Sequence, residues 1–169
     1  MTTKFRTTIV VDVPLDQFVL ALMKSHTAVG RLVAARREDP TLKLHSFGDN
    51  TLNTVTEYRI PLSTMPAWMS SRFKSGGPVN ERTEEWVLGS SSPVGTVVIK
   101  SKDSGSHIEA EYELTSREHE TIWTVDGWAK HPAPIIGARV ETFLVDSLTM
   151  GYQLEGDYLG VQGYHVHRS

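Results

Sequence analysis

Apolar and polar residues alternate with period two along most of this chain, and the stretches that break the alternation mark out its helices. From Lys4 to Val13 β-branched residues dominate and Pro14 closes the run, which predicts a strand. Asp16 to Met23 then carries Phe18, Val19 and Leu22 at helical spacing. A second apolar stripe, Val29, Leu32 and Val33, runs on towards Arg36 and Arg37. Two short helices joined near Ser25-His26-Thr27 are expected.

Period two returns after Asp39-Pro40. Leu42, Leu44 and Ser46 lead into Gly48-Asp49-Asn50, a hairpin signal. The returning strand, Leu52 to Pro61, sets Leu52, Thr54, Thr56, Tyr58 and Ile60 against Asn53, Val55, Glu57 and Arg59. Between Met65 and Phe73 a short amphipathic segment holds Trp68, Met69 and Phe73 and stops at Gly76-Gly77-Pro78. It reads as a small helix or lid. Four strands follow, over Val79 to Leu88, Val94 to Lys100, Ile108 to Leu114 and Thr121 to Lys130. In the third of them Ile108, Ala110, Tyr112 and Leu114 oppose Glu109, Glu111 and Glu113. The connections are short, which implies an antiparallel meander with one wet face.

The last element changes period again. Ile136, Val140, Phe143, Leu144, Ser147, Gly151 and Leu154 fall on one helical face, and Arg139, Thr142, Asp146, Thr149, Gln153 and Asp157 on the other. Pro134 suits a helix start, and Gly156, Gly160 and Gly163 predict fraying past Leu154. A sheet with one polar face must bury the other, and this helix is the element large enough to cover it. The expectation is an α+β domain, with a curved antiparallel sheet of about six to seven strands wrapped on one long helix and a pocket between them.

Composition narrows the function classes. At 169 residues, one domain over 1–169 is expected, its core spanning about 4–156 and a tail about 157–169. Apolar residues at 39% and charged residues at 22% give an ordinary globular balance. A net charge of -3 supplies no electrostatic footprint for nucleic acid. Cysteine is absent, which removes disulfides, thiolate nucleophiles and zinc–thiolate sites and fits a reducing cytoplasm. No apolar signal core opens the chain, and no stretch approaches the roughly 20 apolar residues that cross a bilayer. A cytoplasmic protein without stable membrane insertion is expected.

Three sets of residues carry resemblance to a known family. They are Glu81-Arg82-Thr83-Glu84-Glu85-Trp86 in mid-sheet, Pro134-Ile135-Ile136-Gly137-Ala138-Arg139-Val140-Glu141 opening the last helix, and the strand-to-helix step Val11-Asp12-Val13-Pro14-Leu15-Asp16-Gln17-Phe18. With the element order, they resemble the START-like superfamily, also called helix-grip, polyketide cyclase-like or SRPBCC. More narrowly, the chain looks like family 2505 of the bacterial domains of unknown function, over roughly residues 4 to 156. The resemblance implies a fold and a pocket, not a reaction. Superfamily members include lipid and hormone carriers, aromatic polyketide cyclases and oxygenase domains with a two-histidine, one-carboxylate iron site. That iron motif has no match here, so no metal and no cofactor is expected.

The candidate pocket wall follows from strand alternation. If Glu109, Glu111 and Glu113 face water, Tyr112 faces the helix; by the same logic Trp123, Val125, Gly127 and Ala129 point inward, joined by Tyr58. Val140, Phe143 and Leu144 supply the helical side, and Trp68 and Phe73 the lid. Arg82 and Glu84 share a strand face with Trp86. Turned inward, they must pair with each other or meet a ligand. Arg82 could then hold a carboxylate, and Glu84, or Tyr112, could move a proton. The competing reading is a structural ion pair, or a charged face exposed at a sheet edge. Outward Trp128 and Ile122 would mark a homodimer contact. Of the seven histidines only His165-x-His167 is spaced like a ligand pair, and it lacks an acidic partner. There is no Gly-x-Ser-x-Gly elbow and no phosphate-binding glycine loop. The expected function is binding of a hydrophobic or aromatic small molecule, lipids included. A cyclase- or isomerase-like enzyme and a structural or regulatory interaction domain are the alternatives.

Overall fold

The structure is a computed structural model; it describes residues 2–168, and the side chains of residues 2–165. Strand β1 (Thr3–Val11) is followed by helices α1 (Leu15–Met23) and α2 (Ser25–Ala34), then by β2 (Glu38–Gly48) and β3 (Thr51–Arg59). A 3-10 turn (Leu62–Thr64) and the single-turn helix α3 (Ala67–Ser70) form the lid segment. Strands β4 (Val79–Val87), β5 (Val94–Ser101), β6 (His107–Arg117) and β7 (Glu120–Lys130) come next, and α4 (Gly137–Arg168) closes the chain. All seven strands form one antiparallel sheet in the order β1-β7-β6-β5-β4-β3-β2. Every neighbouring pair is consecutive in sequence except β1 and β7, the first and last strands, so that β1 and β2 form the opposite edges of the sheet.

Local chemistry explains the hairpins. Asp49 and Asn50 alone join β2 to β3, with φ of 52° and 61°. Two left-handed residues make the turn whose twist matches that of paired strands, and Asp and Asn tolerate that region best after glycine. Alternation holds on the inner face: Thr54, Thr56 and Tyr58 of β3, Arg82, Glu84 and Trp86 of β4, and Ile108 to Leu114 of β6 are buried at every second position, as are Trp123, Val125 and Ala129 of β7, where the intervening Gly127 is half-buried.

The helices depart from expectation in three places. In α2 the buried face is Thr27, Ala28, Arg31 and Leu32, while Val33 is exposed. Of the expected stripe Val29, Leu32 and Val33, Leu32 is buried, Val29 is half-buried and Val33 is not packed. Regular α4 starts at Gly137 rather than at Pro134; Pro134 to Ile136 form a turn whose Ile136 carbonyl accepts the N–H of Val140. The helix also runs on to Arg168 instead of fraying past Leu154. Its glycines are packing positions, not stops. A Cβ on Gly156 would lie 2.3 Å from Ile9 Cγ2, and one on Gly163 would lie 3.1 Å from Val13 Cγ2. Absence of a side chain there lets α4 settle onto β1 and the β1–α1 connection, and the close packing offsets the helix propensity lost at each glycine. Along its length α4 rests on β1, β7, α1 and α2.

Candidate functional site

The inner face of β4 places Arg82, Glu84 and Trp86 at alternate positions, and the register sets Glu84 beside Thr54 of β3 and Val97 of β5. Opposite them, the C-terminal half of α4 presents Tyr152 and Glu155, and α2 presents Arg31. All six polar groups of this level, Arg31, Arg82, Glu84, Glu155, Tyr112 and Tyr152, are buried.

They form a closed network. Arg31 grips Glu84 with both terminal nitrogens, at 2.8 and 3.0 Å, and donates from Nε to Glu155 at 2.9 Å. Arg82 grips Glu155 with two bonds of 2.9 Å and reaches Glu84 at 3.0 Å. Tyr112 donates to Glu84 at 2.6 Å and lies 2.5 Å from the hydroxyl of Tyr152. Two guanidinium charges meet two carboxylate charges, so the cluster is neutral and mostly bidentate, the geometry in which buried charge is tolerable. Three donors reach the same oxygen, Glu84 Oε2.

The electrostatics follow. Burial alone would raise the Glu84 carboxyl, but Arg31 and Arg82 outweigh it and bring its pKa down to about 2. Burial also pushes the Tyr112 and Tyr152 hydroxyls above their ordinary value, the two glutamates adding to it at Tyr152. Arg31 is held charged by the two glutamates against the burial that opposes it. At neutral pH Arg31, Arg82 and Glu84 are charged and both tyrosines keep their protons.

Aromatic rings pack around this level. Trp86 lies 4.7 Å from Tyr112, and Trp123 lies 5.1 Å from Tyr152 and 5.4 Å from Tyr112. Among the described residues Arg82 Nε and the indole nitrogens of Trp86 and Trp123 have no hydrogen-bond partner.

The lid end has a different character. Val140 and Leu144 of α4, Met65 and Met69 of the lid and Tyr58 of β3 are buried, and Phe73, Trp68 and Phe143 are half-buried against the same core. Arg37 stands over the Tyr58 ring at 5.9 Å and bonds Ser147. Pro66, Trp68, Arg139, Thr142, Phe143 and Asp146 line an open cleft of about 460 Å³ between the lid and the first turns of α4. The Arg139 guanidinium sits 4.3 Å from the Trp68 ring. Glu141, though buried and charged, is turned to the rim: it accepts the Thr3 hydroxyl at 2.8 Å and the backbone N–H of His131 at 3.0 Å.

The sequence candidates thus separate into two groups. Arg82, Glu84, Trp86, Tyr112, Trp123 and Val125 share the packed interior, whereas Tyr58, Trp68, Phe73, Val140, Phe143 and Leu144 lie towards the lid. The structure turns Arg82 and Glu84 inward, where they pair with each other and with Arg31 and Glu155 rather than lying exposed at a sheet edge. Sequence reasoning missed Arg31, Tyr152 and Glu155. A helical wheel drawn through Leu148 and carried to Leu159 would have found the last two, since Leu148, Tyr152, Glu155 and Leu159 repeat at three- and four-residue spacing. Trp128 is on the outer face and half-buried, stacked on His107 at 5.3 Å. His165 is exposed, and the His167 side chain lies outside the described residues.

No curated protein is detectably similar in sequence. Solved structures share the fold. The Zhui aromatase/cyclase from Streptomyces sp. R1128 aligns over 100% of this chain and 98% of its own, with a TM-score of 0.61 at 10% identity. A START superfamily protein from Mycobacterium smegmatis aligns over 96% and 98%, with a TM-score of 0.60 at 8% identity. A protein from Thermus thermophilus aligns over 97% and 99%, with a TM-score of 0.62 at 9% identity. The seven-stranded curved sheet and long C-terminal helix are those of the START-like, helix-grip fold. The family described as "Protein of unknown function (DUF2505)" matches residues 6–160, and the chain belongs to that family.

Proposed function

We propose that this protein binds an apolar or aromatic small molecule at the lid end of its interior, without chemically transforming it. The observation that carries the reading is the division of labour inside the fold. Buried charge is neutralised within the network, while the lid end is lined by methionines, aromatics and aliphatic residues and adjoins an open cleft. Methionines and half-buried aromatics repack around varied apolar shapes at small cost. The lid is a 3-10 turn and a single helical turn whose backbone bonds are local to it, so it can move without breaking the sheet's ladders. Similarity to an aromatase/cyclase and to a START superfamily protein supports a ligand of this kind.

An enzymatic reading centred on Glu84 or Tyr112 has less support. A carboxylate held near pKa 2 by two arginines is a poor proton acceptor, and its oxygens are already engaged. The test is native mass spectrometry of the purified chain, then denaturing extraction and a tryptophan-fluorescence titration with fatty acids and aromatic polyketides. A stoichiometric apolar adduct is expected, and Phe143→Ala should weaken uptake about tenfold, equivalent to roughly 1.4 kcal/mol. Protein that is consistently empty and takes up nothing from the panel overturns the reading.

A further inference from the structure

Along α4 the cleft beside the lid meets Arg139, Thr142, Phe143 and Asp146, with Trp68 and Pro66 across from them. The guanidinium of Arg139 lies 4.3 Å from the Trp68 ring and makes no hydrogen bond or ion pair among the described residues. Glu141, two positions away, makes no ion pair with it among the described residues; its oxygens accept from Thr3 and His131 instead. The Thr142 hydroxyl donates to the Ala138 carbonyl at 3.0 Å, so its remaining capacity is as an acceptor. Asp146 stands seven residues beyond Arg139, about 10 Å along the axis at 1.5 Å per residue. One end of the cleft is therefore cationic and the other anionic, with an aromatic wall between them.

We infer that the ligand of this cleft is an aromatic molecule bearing a single carboxylate. This rests on the binding function proposed above and gives its ligand a chemical class. Packing against Trp68 restrains the planar guanidinium, which lowers the cost of holding it in place for a carboxylate. Its two-pronged donor geometry matches a carboxylate better than a hydroxyl or an ester carbonyl. Phe143 and Trp68 receive the ring. Asp146 repels a second anionic group at the far end, so the cleft selects against dicarboxylates as well as against neutral analogues.

The experiment is a fluorescence or calorimetric titration of the full chain with naphthoate, its methyl ester and naphthalene dicarboxylate. Naphthoate should bind about tenfold more tightly than either analogue, a gap of roughly 1.4 kcal/mol. In Arg139→Gln the preference over the ester should fall to about one, with Arg139→Lys between. In Asp146→Asn the dicarboxylate should close most of its gap. These exposed positions let the variants fold, which circular dichroism checks. Equal binding of naphthoate and ester overturns the inference but leaves apolar binding standing. Uptake of fatty acids with no naphthoate binding does the same. Failure of every probe overturns both.

Discussion

Two stretches of the same helix face the same sheet and meet opposite surroundings. Around Tyr152 and Glu155, α4 looks onto two arginines, a glutamate and a tyrosine, and every carboxylate oxygen there has a donor. Around Val140 and Leu144, three to four turns earlier, it lies among methionines, aromatics and aliphatic residues and shares a cleft with a one-turn lid. The first region is costly to assemble and unforgiving, since a buried ion pair gains little over apolar packing but loses much when one partner is removed. The second is cheap to deform, because apolar contacts carry no directional requirement. A network that fixes α2, α4 and β4 relative to one another would leave the lid end free to open without loosening the fold.

Three variants or conditions test that contrast. The largest effect is expected from Arg82→Ala, which leaves Glu155 only its bond from Arg31 Nε and takes one donor from Glu84. It should cost about 3–5 kcal/mol in urea-induced unfolding. A loss below about 1 kcal/mol would mean that the network does not hold the helices to the sheet.

Acid should come next. The folded Glu84 carboxyl sits at about 2, below its ordinary value of 4.5. Its contribution is complete above about pH 4.5 and is lost as the pH falls from there towards 2. Unfolding midpoints measured across that window should fall steeply in the native chain and less so in Glu84→Gln. Parallel slopes would show that other carboxylates govern acid stability.

The smallest change in stability belongs to Trp68→Ala, at about 1 kcal/mol or less by thermal melting, since that ring is half-buried in a single-turn helix. A loss matching Arg82→Ala would erase the distinction between the two regions.

Much of the sheet was legible because strand alternation is a local signal. Glu109, Glu111 and Glu113 mark the wet face of β6 and so orient Tyr112, and the positions of Trp123 and Trp128 follow in the same way on β7. Arg82 and Glu84 were legible as a pair that must be satisfied, but not as a network. Their partners lie far along the chain: Arg31 is 53 residues from Glu84, and Glu155 is 73 residues from Arg82. Arg31 lies outside the expected stripe of Val29, Leu32 and Val33, and only docking of α2 shows that it shares the buried face with Leu32. The lid was legible as a short amphipathic interruption, whereas the Arg139–Trp68 contact was not, because residues 68 and 139 meet only once α4 has docked.

What the sequence alone determined is the periodicity: the strand segments, their hairpin turns and the inward side of β3, β6 and β7, all set by side chains within a few residues of one another. Tertiary structure decided where α4 ends and what the buried charges do. A glycine reads as a helix stop when nothing packs on it and as a seat for a strand when Ile9 or Val13 does. An inward arginine is a ligand anchor or a structural clamp according to which carboxylates the other helices deliver. Both outcomes depend on contacts across the whole chain, which local pattern does not encode.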